Sequence, residues 1–295
     1  MPMETRAAPK ILVYDGDCRM CTQFSRVAEK RWLVGDAERR AADSFEGDEA
    51  VRLAEAGVHN ELAVIEPASG EIRSGYDGIL WLMRSGSLGW LTPLFARGPL
   101  AWLGRTDYRT VAYNRRILSP VSRSVTCACD PDLHRGYRWT FIVLCAAWMT
   151  FVMTVAAWML LGGQPWLGGG LLLAWGIVAL PAAAFPTPRN LDHLGHTAFI
   201  ATLMTLPMLA AVIVRALVLI TWAAGWAPDL VDGPQDGALL FAASAWGLAL
   251  PLALWGCLRR LPLLQHSRAT ALAAALVLWT VPLAVVLLFG AASPG

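Results

Sequence analysis

Lysine is nearly absent from this chain: Lys10 and Lys30 stand against 22 arginines among 295 residues. The bias reflects base composition more than mechanism. Net charge of one sign is lacking too. The formal value is only +2, and the basic residues are not interleaved with aromatics, so a nucleic-acid surface is excluded. Charge of either sign is scarce in the second half. Residues 139–295 hold five Arg and four Asp, whereas residues 1–138 hold 19 of the 24 Lys and Arg and 18 of the 22 Asp and Glu. The chain is 56% hydrophobic, more than a soluble domain carries, and the excess lies where charge is missing. A secretory signal is also missing at the start: residues 1–9 are polar, and the apolar run at 11–14 is too short for one. The first half is therefore expected to stay on the cytoplasmic side.

Apolar stretches of about 20 residues cross a bilayer as helix. Five are expected, at 139–161, 166–185, 197–225, 237–258 and 269–290, punctuated by Pro165, Pro186, Pro188, Pro228 and Pro262. Trp139, Trp166 and Trp226 near their ends suit the interfacial belt. The loop arginines Arg135, Arg138, Arg189, Arg259, Arg260 and Arg268 all fall on one side, and the opposite loop at 227–236 carries Asp229, Asp232 and Asp236. This asymmetry predicts the N-terminus inside, the C-terminus outside and an odd number of spans. Arg215 lies about 27–30 Å along the third span from His196. It is expected to snorkel to the outer interface or to pair inside the membrane. The plan is an α/β domain over 1–118, a basic juxtamembrane linker over 119–138 and an all-α transmembrane bundle over 139–295, integral to the plasma (inner) membrane.

In the soluble half, an apolar strand at 11–14 turns at Asp15-Gly16-Asp17 and enters a helix near Cys18, with apolar residues at Met20, Phe24, Val27 and Trp32. A strand, a turn and a helix with C-x-x-C in its first turn is the arrangement of a thioredoxin-like redox site. The chemistry requires that placement. The thiolate is the nucleophile, and a helix N-terminus favours it. Cys18 is the expected attacking thiol and Cys21 the resolving one. No cofactor is needed beyond this redox-active pair. Asp15 either accepts a thiol proton or caps the turn. Zinc at Cys18 and Cys21 would need a second ligand pair, and residues 22–126 offer only His59. The Asp-Gly-Asp turn also lacks the partners of an aspartate-nucleophile phosphatase. Downstream, helices are expected at 49–56 and 76–83, strands at 61–66 and 71–73, and a second strand within 34–42 despite its charges.

The motif Asp15-Gly-Asp-Cys18-Arg-Met-Cys21 resembles the D-x-x-C-x-x-C signature of the DCC family of thiol–disulfide oxidoreductases. Gly75-Tyr-Asp-Gly78-Ile-Leu-Trp81 and Tyr108-x-x-Val-Ala-x-Asn114-Arg115 are similar to two further segments of that family, which has Ala where this chain has Gly78 or Ile79. The resemblance covers residues 10–116. It implies a thioredoxin-like fold and protein-disulfide reductase activity on a protein or small-molecule disulfide that it does not specify. The chain has Arg-Met between the cysteines and no Pro just before residue 61, so thioredoxin-type substrate docking does not carry over.

Cys127-Ala-Cys129 and His134 precede the first span. Three readings stand open: a second dithiol exchanging with Cys18 and Cys21, a metal site, or two unpaired thiols. The alternative function is a membrane metal- or haem-binding protein using Cys127, Cys129, His134, His193 and His196, with the α/β domain as a docking module. Cys145 and Cys257 are expected to be packing residues. Arg105, Arg109, Arg115, Arg116, Arg123, Arg135 and Arg138 make the linker basic, which suits contact with anionic headgroups of the bilayer.

Overall fold

The computed structural model describes residues 10–30, 37–84, 86, 88–119, 132–160, 187–225, 247–252 and 254–258. The chain divides into two compact units between Arg138 and Trp139. The first unit thus extends past residue 118 and takes in the described residues 132–138 of the expected linker.

The first unit opens with β1 (Lys10–Tyr14), α1 (Arg19–Lys30), β2 (Ala37–Ala41) and α2 (Gly47–Glu55). It continues with β3 (Ala63–Glu66), β4 (Glu71–Ser74) and α3 (Gly75–Met83). The sheet order is β2-β1-β3-β4, with β1 parallel to β2 and antiparallel to β3, and β3 antiparallel to β4. A parallel pair needs a crossover, and α1 supplies it. Side chains alternate across the sheet. Leu12 and Val64 meet Cys18, Cys21, Ala28, Trp81 and Leu82 from α1 and α3 on one face. Ile11, Val13, Ala63 and Ile65 meet Phe45, Leu53 and Val58 on the other. The result is three layers with the sheet in the middle.

Every element expected up to residue 83 is present, with boundaries within about two residues. The charged β2 is an edge strand, where Glu38, Arg39 and Arg40 discourage pairing with another chain. The apolar stripe expected on α1 is corrected. The buried face carries Cys18, Cys21, Ser25 and Ala28, while Phe24 and Val27 are exposed. These small side chains let the helix lie close to the sheet. Gly78 has a similar cause: a Cβ there would collide with the Arg73 carbonyl of β4. Beyond α3 come a 3-10 turn (Gly89–Leu91), α4 (Thr92–Phe95), α5 (Gly98–Tyr113), packed on α3, and α6 (Arg115–Leu118).

α7 (Arg135–Leu160) begins in the first unit and continues into the second, which also holds α8 (Pro188–Met204) and α9 (Leu206–Ala223). Among the described residues, two stretches, Arg135–Ala156 and Pro188–Thr221, are long and apolar enough to cross a membrane. The first answers to the span expected at 139–161. The span expected at 197–225 is corrected: the helix begins at Pro188, capped by the Thr187 hydroxyl accepting from the Asn190 N–H at 3.2 Å. It is interrupted at Thr205, because Pro207 has no N–H to offer the Leu203 carbonyl and its ring crowds that turn. Arg215 is buried at 2% exposure on α9. The spans expected at 166–185 and 269–290 lie outside the described residues, and that at 237–258 is described only from residue 247.

Candidate redox site

The chain leaves β1 at Tyr14 and turns at once. The Asp15 Oδ1 accepts the backbone N–H groups of Asp17 at 3.1 Å and Cys18 at 3.2 Å. The expected turn-capping role of Asp15 is therefore present. Cys18 stands at the N-cap of α1. Its carbonyl accepts from the Thr22 N–H at 2.9 Å, and its Sγ accepts from the Cys21 N–H at 3.5 Å. The sulfur thus takes the place of a capping Ser or Asp oxygen, where the free N–H groups of a first helical turn favour negative charge. Neither thiol is in a disulfide, and both lie in the buried cluster with Leu12, Leu62, Val64 and Trp81. Cys18 is only 2% exposed. The Cys21 thiol is pushed well above its ordinary range, first by hydrogen bonding to Cys18 and then by burial.

A residue that sequence reasoning had given to the membrane surface completes the group. Arg115 is 2% exposed and lies under the C-x-x-C helix. Its Nη2 donates to Asp15 Oδ2 at 3.0 Å and to the His59 carbonyl at 2.6 Å. Its Nη1 donates to Cys21 Sγ at 3.7 Å and to the Asn60 carbonyl at 3.5 Å. One guanidinium therefore joins the turn carboxylate, the second cysteine and the loop before β3. Burial raises the Asp15 carboxyl above the usual carboxylate value, and Arg115 offsets only part of that rise.

The loop that Arg115 grips is held from other sides as well. The Leu62 N–H donates to the Tyr108 hydroxyl at 2.9 Å, and the Leu62 carbonyl accepts from the Gly75 N–H at 2.7 Å. Gly75 has φ +62°, and a Cβ there would run into Glu61 and Tyr108. Asn60 exchanges two hydrogen bonds with Asp132, at 2.9 and 3.0 Å, and Arg109 pairs with Glu61 at 3.2 Å. Asn114 Nδ2 donates to the Tyr137 carbonyl at 3.1 Å. Gly75, Tyr108 and Asn114 had been singled out only as motif letters, and Arg115 both as a motif letter and as a linker arginine. Gly75, Tyr108 and Arg115 shape this loop and its contact with Cys21, while Asn114 ties the end of α5 to Tyr137.

The remaining candidates are placed differently. The His134 ring packs 4.4 Å from that of Tyr137 and 5.6 Å from that of Tyr113, and its Nδ1 accepts the Tyr137 N–H at 3.3 Å. His193 and His196 lie on α8, the second of them buried, and Cys145 and Cys257 are buried free thiols. Cys127 and Cys129 lie outside the described residues. Among the described residues no group of three or more His, Cys, Asp or Glu side chains converges to hold a metal. Arg105 and Arg109 pair with Asp77 and Glu61 rather than standing free for headgroups. Comparison with known proteins returns no matching family model, no similar curated protein and no similar solved structure.

Proposed function

We propose that the first unit is a thioredoxin-like domain of the DCC type that performs thiol–disulfide exchange through Cys18 and Cys21. We place it on the cytoplasmic face of the plasma (inner) membrane, held there by about five spans. The observation that carries this reading is the capping geometry: Cys18 Sγ receives the N–H of Cys21 at the start of α1, and the Arg115 guanidinium donates to Cys21 Sγ. The sheet order β2-β1-β3-β4 with one parallel pair supports the fold assignment. The two membrane-length helices support the location.

The Cys18 thiolate attacks one sulfur of a substrate disulfide. An enzyme–substrate disulfide forms, and the other substrate sulfur leaves as a thiolate that takes up a proton. Cys21 then loses its proton and attacks Cys18 Sγ, releasing the second substrate thiol and closing a Cys18–Cys21 disulfide. Two electrons pass from the dithiol to the substrate, and a cytosolic thiol reductant must return them. Asp15, which shares Arg115 with Cys21, is the proposed acceptor of the Cys21 proton, and the Arg115 guanidinium stabilises the thiolate left behind. No further cofactor enters. Cys127 and Cys129 remain candidates for the exchanging dithiol.

Cys21→Ser should trap a mixed disulfide with substrate, visible as a reducible mass adduct in native membranes, while Cys18→Ser should trap none. Equal trapping by both variants, or reduction of a disulfide substrate at the wild-type rate by Cys18→Ser, would end this reading.

A further inference from the structure

Scattered exposed apolar side chains are ordinary on a folded surface, but a cluster of large ones is not. Trp90, Leu94, Phe95, Leu100, Trp102 and Leu103 are all exposed, Trp90 at 76% and Trp102 at 67%. They come from the 3-10 turn, α4 and the start of α5, which follow one another along the chain and pack together. The inner side of this segment is fixed. Thr92 and Ala101 are buried, the Tyr76 hydroxyl donates to the Phe95 carbonyl at 3.1 Å, and Gly104 packs against the Tyr76 ring. The outward face is therefore a built surface and not a frayed end.

Charge narrows the occupant. No Asp or Glu occurs from residue 78 to residue 106, and Arg84 and Arg97 are exposed beside the apolar face. A second copy meeting this face across a two-fold axis would set arginine against arginine. An anionic lipid headgroup layer answers both features, taking the arginines at its surface and the tryptophans just below it. The same chain carries Arg135–Ala156 and Pro188–Thr221, each of membrane-crossing length, so a bilayer is the apolar phase within reach.

We propose that Trp90, Leu94, Phe95, Leu100, Trp102 and Leu103, rimmed by Arg84 and Arg97, insert into the headgroup region of the membrane in which the chain is embedded. The face is a monotopic contact additional to the spans. It rests on the membrane reading and is independent of the chemistry at Cys18 and Cys21.

The test uses the full chain in nanodiscs of mixed zwitterionic and anionic phospholipid, a fraction of it brominated high on the acyl chains. Wild type is compared with Trp90→Phe/Trp102→Phe, and with each single variant, so that the difference emission isolates two of the 14 tryptophans. That emission should be quenched at least two-fold by the brominated lipid and shielded from aqueous acrylamide. The quenching should weaken in Arg84→Gln/Arg97→Gln. Quenching by acrylamide and not by lipid would overturn the inference by placing the face in water. Shielding from both would overturn it by placing protein there, a second copy if the nanodisc mass doubles. A chain that stays soluble without detergent or lipid would instead remove the membrane reading beneath it.

Discussion

A guanidinium enclosed as Arg115 is must have its charge answered nearby, and Asp15 does so at 3.0 Å. Removing one partner strands the other. Arg115→Met is expected to cost about 3 kcal/mol in urea unfolding, and Asp15→Asn/Arg115→Met should recover part of that loss. Strict additivity of the two single changes would show that the pair is not coupled. The raised carboxyl of Asp15 also fixes the sign of a pH effect. The folded state binds this proton more tightly than the unfolded one, so its contribution to stability is present below 3.8 and is lost as pH rises through the folded value. Asp15→Asn should flatten that decline, read as the slope of unfolding free energy against pH. Cys21 behaves in the same sense at the alkaline end: its raised thiol makes stability fall as pH climbs above 9.0, a fall that Cys21→Ala should abolish. Asp15, Cys18 and Cys21 were legible in the sequence because seven consecutive residues carry strand end, turn and helix start. Arg115 was not, because it meets Asp15 across 100 positions and reads locally as one more arginine in a basic stretch.

Among the elements, legibility followed how much of the pattern was local. The helices and strands up to residue 83 were legible from periodicity and turn residues. The buried face of α1 was misread because apolar weight pointed to Phe24 and Val27. The close approach of helix to sheet instead selects Cys21, Ser25 and Ala28, and Ser25 is satisfied by Thr22 at 3.0 Å and Arg39 at 3.2 Å. The break between α8 and α9 was available in Pro207 but was outweighed by the unbroken hydropathy around it. Gly78 gives this scale its test. A methyl group there presses on a backbone carbonyl of β4, which cannot swing aside as a side chain would. Gly78→Ala should cost about 2 kcal/mol, measured by urea titration of the α3 and sheet signals. An unchanged midpoint would mean that α3 sits farther from β4 than described here.

For the whole molecule, the chain divides between Arg138 and Trp139, where charge thins out in the sequence, and the described part of the linker before that point packs into the first unit. Asp132 and Tyr137 are stitched to Asn60 and Asn114, and Tyr113 stacks 5.2 Å from Tyr137. A fragment ending at residue 118 loses these contacts, and a fragment ending at 138 keeps them. The longer one should be more stable by about 3 kcal/mol, at roughly 1 kcal/mol for each of the two Asn60–Asp132 bonds and the Asn114–Tyr137 bond. Equal stability would show that the stitching contributes nothing. The same stitching imposes an order in time. A chain is made from its N-terminus at roughly 5–20 residues per second. The loop that holds Arg115 against Cys21 therefore waits about 1–4 seconds after Leu118 is joined until Tyr137 follows. Its last fasteners arrive together with the first turn of α7. In ribosome-arrested chains, Cys18 should alkylate faster when the stop lies before Tyr137 than when it lies well beyond, so the thiol records the moment at which the unit closes.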